Sequence, residues 1–164
     1  MSRRLLVVYA TKYGQTEKIA RCVAEVAKRE GIATELAQID DACTPEDFSD
    51  VVVAGSVYFG HHSRKLGRWV RRNAPMLAKR HTAFVTVCNE VAHAPVGTFL
   101  RDSGWTPGTT AVFAGALRYT RYGWFFRLVT RRVAGVHDDV EYTDWQAVEA
   151  FARGFLADVK ARAA

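Results

Sequence analysis

The hydrophobic positions fall into two alternating periods along the chain. Leu5 to Tyr9 is an unbroken apolar run rich in branched residues, the pattern of a strand buried on both faces. A helical period follows, in which Ile19, Val23, Val26 and Ala27 recur at i, i+4, i+7 and i+8, and Gly31 marks its end. A shorter strand is predicted from Ala33 to Ile39, and Val51 to Gly55 repeats the buried-strand pattern. From Ser63 to about Ala74 the helical period returns, with Pro75 near its end. Leu66, Trp69 and Val70 share one side of this helix, and Arg64, Arg68, Arg71 and Arg72 share the other. Ala83 to Cys88 and Ala111 to Ala114 read as two further strands. The last helix has a start signal in Thr143-Asp144-Trp145-Gln146, a capping box in which the Thr hydroxyl and the Gln side chain each satisfy a backbone amide. Trp145, Val148, Ala152, Phe155, Leu156 and Val159 form its apolar stripe.

Five strands alternating with helices imply an α/β three-layer sandwich, a five-stranded parallel sheet with helices on both faces. The expected order is the flavodoxin-like 2-1-3-4-5, with ligands bound at the carboxyl ends of the strands. At 164 residues, without repeats or an evident linker, residues 1–164 are expected to form a single domain. A composition 49% hydrophobic and 24% charged excludes disordered and fibrous classes. Cys22, Cys43 and Cys88 are too few and too scattered for a disulfide framework, a redox pair or a metal cluster, and they fit a reducing cytoplasm. No run approaches the roughly 20 apolar residues of a membrane span. Met1 to Arg4 followed by Leu5 to Ala10 imitates a signal peptide, but the apolar run is short and lacks a cleavage site. It reads instead as the first strand.

Charge is unevenly spread. The net charge is +6, yet residues 51–137 carry thirteen Lys and Arg against only Glu90 and Asp102, while both flanks are net acidic. A positive face directed at an anionic partner explains this segregation, and solvated basic helix faces are the plainer alternative. Nucleic acid fits poorly, because no recognition motif accompanies the charge.

Between the first strand and the first helix lies Thr11-Lys12-Tyr13-Gly14-Gln15-Thr16. Gly14 permits a tight turn, Thr11 and Thr16 add hydroxyls, and the helix start presents unpaired amides. The spacing is neither a Walker A loop nor GxGxxG. Hydroxyls and amides in place of Lys and Arg suit a terminal monoester phosphate such as that of FMN; an ordinary glycine-containing turn is the alternative. Two more loops reach the same edge of the sheet: Ser56-Val57-Tyr58-Phe59-Gly60-His61, followed by His62, and Cys88-Asn89-Glu90-Val91. They offer the aromatic faces and backbone groups that a flat isoalloxazine needs. His61 and His62 fit solvent-exposed or structural histidines better than acid–base groups, and no catalytic residue is singled out.

These segments resemble, in order, a known family. Thr11–Thr16, Ser56–His61, Ala114-Gly115-Ala116-Leu117-Arg118-Tyr119 with Arg121-Tyr122 and Trp124, and Tyr142-Thr143-Asp144-Trp145 are similar to the menaquinone-dependent protoporphyrinogen IX dehydrogenases. The resemblance spans nearly the whole chain, and its most specific part is the stretch from Ala114 to Trp124. It implies non-covalent FMN, oxidation of protoporphyrinogen IX to protoporphyrin IX in haem biosynthesis, and electron delivery to a membrane quinone. It also implies that Thr11–Thr16 hold the phosphate and that the Ser56–His61 and Cys88–Val91 loops flank the ring. Arg118 and Tyr119 are the candidate contacts to the substrate propionates. Two features depart from the family pattern: a shorter, less basic connection from Asn89 to Trp105, and Tyr58 where an arginine is expected.

Residues 103–137 hold five arginines and no acid. Projected as a helix, Arg127 and Arg131 lie opposite Tyr122, Phe125, Phe126, Val129 and Val133, with Trp124 and Leu128 beside them. Two readings stand: weak peripheral membrane contact through Arg121–Arg132 at the cytoplasmic side of the inner membrane, or a helix with a basic outer side. A homo-oligomer is compatible with either. An FMN-dependent NAD(P)H:quinone reductase, a flavodoxin-type electron carrier and a flavin-free binding module are the alternative functions.

Overall fold

The structure, a computed structural model, describes residues 3–39, 44–117 and 140–163. The expectations for Cys43, Arg118, Tyr119, Trp124 and the Arg121–Arg132 run lie outside these residues. Along the chain the elements are β1 (Arg4–Ala10), α1 (Gln15–Arg29), β2 (Ala33–Gln38), β3 (Asp50–Tyr58), β4 (His61–His62) and α2 (Arg64–Leu77). They continue with β5 (His81–Cys88), α3 (Val96–Ser103), β6 (Thr109–Ala114), β7 (Ala116–Leu117), β8 (Val140–Glu141) and α4 (Trp145–Ala163).

β2, β1, β3, β5 and β6 pair in parallel in that order, which among the long strands is the expected 2-1-3-4-5. The central strands β1, β3 and β5 are apolar without alternation because both faces are covered. Successive side chains point to opposite faces and thereby divide the core in two. Leu5, Val7, Val52 and Val85 pack against α1 and α4 through Ile19, Val23, Val148 and Phe155. Leu6, Val8, Val51, Val53 and Phe84 pack against α2 and α3 through Leu66, Val70 and Phe99. At the amino-terminal edge of the sheet, the buried Asp50 carboxylate joins Arg3 at 3.0 Å, Ser49 at 2.7 Å and His81 at 3.2 Å. That network ties the strand starts together, far from the ligand-binding edge.

Four local expectations are corrected. The Ser56–His61 segment is a hairpin and not an irregular loop: β3 runs on to Tyr58, and β4 returns antiparallel, pairing Val57 with His62 and Tyr58 with His61. α2 continues two residues past Pro75, because a proline in the last turn forfeits only its own amide bond. The final helix is capped by Asp144, whose carboxylate accepts the Ala147 amide at 3.0 Å, while Thr143 is used elsewhere. Trp145 is 36% exposed, outside the apolar stripe, with its indole N–H donating to Glu141 at 2.9 Å.

Candidate functional site

The carboxyl edge of the sheet gathers three loops. The first joins β1 to α1. Gly14 sits at φ 92°, a left-handed conformation that a residue with a Cβ adopts only under strain, and it occupies the N-cap position of α1. The Thr11 hydroxyl accepts the Gly14 amide at 2.9 Å and closes the turn. No side chain caps the first turn of α1. Thr16 is buried, and its Oγ1 has no hydrogen-bond partner. An orphaned hydroxyl of this kind costs about 1–3 kcal/mol unless a ligand satisfies it. With the helix-start amides it makes a cradle for an anion, so the residues fit the phosphate of FMN.

The other side chains of this loop are spoken for. Gln15 donates to the Thr143 hydroxyl at 2.8 Å, which in turn donates to the Ala114 carbonyl at 2.8 Å, tying α1 to the end of β6. The Lys12 ammonium lies 3.4 Å from the centroid of the Tyr58 ring, a cation–π contact, and the Tyr13 hydroxyl donates to that of Tyr58 at 3.2 Å. Tyr58, standing where the family resemblance leads one to expect arginine, thus holds the lysine of the β1–α1 loop through its ring.

The second loop is the two-residue turn Phe59-Gly60, with φ of 49° and 74°. Two successive left-handed residues make a type I′ turn, for which Asn-Gly is the favoured pair. A phenylalanine there is strained by about 1–3 kcal/mol, and its ring is 72% exposed. The hairpin thus holds an aromatic face outward at a local energetic cost. The third loop follows β5: Gly115 donates to the Cys88 carbonyl at 3.0 Å, Cys88 Sγ–H contacts the Glu90 carbonyl at 3.4 Å, and Val91–His93 forms a single 3-10 turn. Burial pushes the Cys88 thiol pKa up, so it is a neutral wall rather than a thiolate nucleophile.

Cavities border these loops, and three of them are formed by the described residues. One of about 270 Å³ has Val57, Phe59 and Gly60 on one side and Cys88, Asn89 and Glu90 on the other, which brings together the two segments expected to flank a ring. The sequence did not single out His93, Ala94 and Pro95, which complete its wall; only an exposed turn after a buried strand could have signalled them. A second cavity, of about 370 Å³, collects Thr11, Lys12, Ser56, Tyr58 and His61 on the α2 side of the sheet. The third, of about 590 Å³, lies between the hairpin, α2 and α3. Val91 is exposed and lines none of the three. His62 lines both the second and third cavities, and its ring packs at a tilt against Phe84 and Phe99. Burial lowers its pKa to about 4, so it is neutral at pH 7. No group of metal-binding residues occurs among the described residues.

Comparison with known proteins agrees with this geometry. The model of the flavodoxin domain family matches residues 6–144. Protoporphyrinogen IX dehydrogenase [quinone] of Escherichia coli (strain K12) is 34% identical over 92% of this chain and 93% of its own. Among solved structures, a flavodoxin from the domain Archaea superposes with a TM-score of 0.62 at 14% identity, covering 96% of this chain and 99% of that one. A mutant flavodoxin of Fusobacterium nucleatum bound to flavin mononucleotide superposes with a TM-score of 0.52 at 13% identity, covering 68% and 69% of the two chains.

Proposed function

We propose, from the premise that this chain belongs to the flavodoxin-domain family and to the protoporphyrinogen IX dehydrogenase relatives within it, that it is an FMN-dependent oxidoreductase converting protoporphyrinogen IX to protoporphyrin IX with a quinone as acceptor. The observation that carries this reading is the buried, unpartnered Thr16 hydroxyl at the uncapped start of α1, beneath the left-handed Gly14. Thr16 and the amides of Gln15 and Thr16 would hold the FMN phosphate, with the Thr11–Gly14 bond fixing the turn. Val57 to Gly60 and Cys88 to Glu90 would flank the ring. When bound, FMN supplies two-electron redox chemistry that the side chains lack. Hydrogens leave the porphyrinogen in pairs, each pair converting one quinone to its quinol.

The chain's own contribution is positioning. The hairpin fixes one wall through main-chain pairing to β3, and the Gly115 bond to Cys88 fixes the other, so the cavity between them is set by backbone hydrogen bonds. The choice of menaquinone and the docking of Arg121–Arg132 at an anionic leaflet belong to the same proposal. At about 1 kcal/mol per basic residue, the four arginines of this segment support weak, reversible contact, and no helix among the described residues is long and apolar enough to cross a membrane. Arg118 and Tyr119 remain in the proposal as substrate contacts.

The test is anaerobic mixing of the flavin-loaded protein with protoporphyrinogen IX, and separately with NADPH, with menaquinone as acceptor. Turnover with the porphyrinogen supports the assignment. Turnover with NADPH alone replaces it by an NAD(P)H:quinone reductase.

A further inference from the structure

The helix α2 is built against its own stability. Its sequence from Arg64 to Leu77 contains Arg64, Lys65, Arg68, Arg71 and Arg72 and no acid. Arg64 and Lys65 stand in the first turn, where the helix dipole disfavours cations. Arg64 with Arg68 and Arg68 with Arg72 are like-charge pairs at i and i+4, and Arg68 with Arg71 is one at i and i+3. The other long helices are arranged in the opposite way: α1 pairs Glu17 with Arg21 and Glu25 with Arg29, and α4 pairs Glu149 with Arg153. Among the described residues, Arg64, Arg68 and Arg71 make no ion pair. A helix that accumulates unpaired like charge on one stripe is expected to meet an anion there.

The stripe faces a cavity. Arg64, Arg68 and Arg71 line the 590 Å³ space between the hairpin, α2 and α3, and among the described residues Asp102 is the only carboxylate lining it. Its volume falls within the range of about 300–1,000 Å³ usual for small-molecule sites. Its floor is apolar: Phe99 is buried against Phe84, and Gly67 leaves open the space between helix and ring. A Cβ at Gly67 would lie 3.5 Å from an Arg71 guanidinium nitrogen and 3.9 Å from the Phe99 ring, so the guanidinium passes directly over the glycine beside the aromatic face. Glycine inside a helix costs about 0.8–1.0 kcal/mol relative to alanine, and here it keeps the floor low. Gly60 and Pro95 line both this cavity and the 270 Å³ space assigned to the flavin ring, so the two spaces share a rim.

We infer that the cavity between α2, α3 and the hairpin is the docking site for the carboxylates of the substrate, with Arg68 and Arg71, supported by Arg64, binding the two propionates of the tetrapyrrole while its apolar macrocycle lies along Phe99 toward the shared rim. This assignment rests on the functional reading above and extends it to residues that neither the motif nor the family resemblance marked. Spacings of i+3 and i+4 set the arginines about 4.5–6 Å apart along the helix axis, which suits two carboxylates on neighbouring pyrroles. Guanidinium groups bind carboxylates in two-point contacts, giving orientation as well as affinity.

The test compares the flavin-loaded wild type with Arg68→Gln, Arg71→Gln and the triple change at Arg64, Arg68 and Arg71 to Gln. Binding of protoporphyrin IX and of its dimethyl ester is read by porphyrin fluorescence, alongside KM and kcat for protoporphyrinogen IX and sedimentation with vesicles containing anionic lipid. Each single change is expected to raise KM about tenfold, the scale of one charge-assisted hydrogen bond, while kcat stays within about threefold. Wild type is expected to prefer the diacid to the diester, and the triple variant to bind both alike. FMN content is expected to stay the same, and the thermal midpoint to hold or rise as like charges are removed. If the triple variant does not fold, the single changes decide the matter. Variants that keep wild-type KM and diacid preference overturn the site, as do variants that lose only vesicle binding. A yellow wild-type protein that neither binds nor oxidises the tetrapyrrole overturns the functional reading itself, and the site with it.

Discussion

Replacing Thr16 by valine separates a structural hydroxyl from a ligand-binding one. The two side chains are nearly the same shape and share β-branching, so packing at the start of α1 is conserved and only the hydroxyl is lost. That hydroxyl is buried and the protein offers it no hydrogen-bond partner, and such a group costs about 1–3 kcal/mol if nothing else satisfies it. Thr16→Val is therefore expected to stabilise the flavin-free protein, by about 1 kcal/mol if half of that cost is relieved. In the proposed role the same hydroxyl donates to the FMN phosphate, a bond contributing about 1.5–3 kcal/mol. At about 1.4 kcal/mol per tenfold, the Kd for FMN rises roughly ten- to 150-fold. The assay is urea denaturation of the flavin-free protein together with titration of FMN fluorescence quenching. Opposite signs in the two measurements are the signature of an anion cradle. A variant that loses stability without FMN and binds FMN within threefold of wild type would refute the reasoning, because the hydroxyl would then be serving the fold.

Three further outcomes follow from the geometry. His62, neutral by burial with its pKa near 4 against about 6.5 in the unfolded chain, binds its proton more readily when unfolded. Stability is therefore fully present above about pH 6.5 and falls as pH drops toward 4, by up to about 3 kcal/mol, and His62→Gln is expected to flatten this segment of the curve measured by chemical denaturation. Phe59→Asn relieves the left-handed strain of the type I′ turn and removes the exposed ring, so the protein gains about 1 kcal/mol of stability while FMN binds more weakly; thermal melts and flavin titration read the two effects. Gly55→Ala places a Cβ against the Leu66 side chain and 3.2 Å from the His62 ring, and overpacking of this kind costs about 1–3 kcal/mol, seen as a lower urea midpoint.

The sheet was legible because its physics is local. β1, β3 and β5 are buried on both faces and show unbroken apolar runs, and helices between them force parallel pairing in a predictable order. The tight turn between β1 and α1 was legible because Gly14 supplies a conformation that few residues share. The hairpin was hidden: its turn carries Phe59 where Asn would announce a type I′ geometry, and β4 is only two residues long. Helix α3 was read as a connection because eight residues show barely two turns of periodicity. Its absence from the expectation concealed the arginine cavity, since Phe99 and Pro95 supply the opposite wall. The register of the last cap failed by one residue because Thr143 and Asp144 are both good caps, and Thr143 is diverted to the Ala114 carbonyl by a contact distant in sequence.

The central claim is that the β1–α1 turn of this chain holds a flavin that is reduced by a tetrapyrrole. Anaerobic stopped-flow mixing of the flavin-loaded protein with protoporphyrinogen IX, without quinone, tests it most directly. The flavin absorbance is expected to bleach in proportion to the protoporphyrin fluorescence that appears, and added menaquinone to restore the yellow colour. Flavin that stays oxidised in the presence of excess porphyrinogen would contradict it.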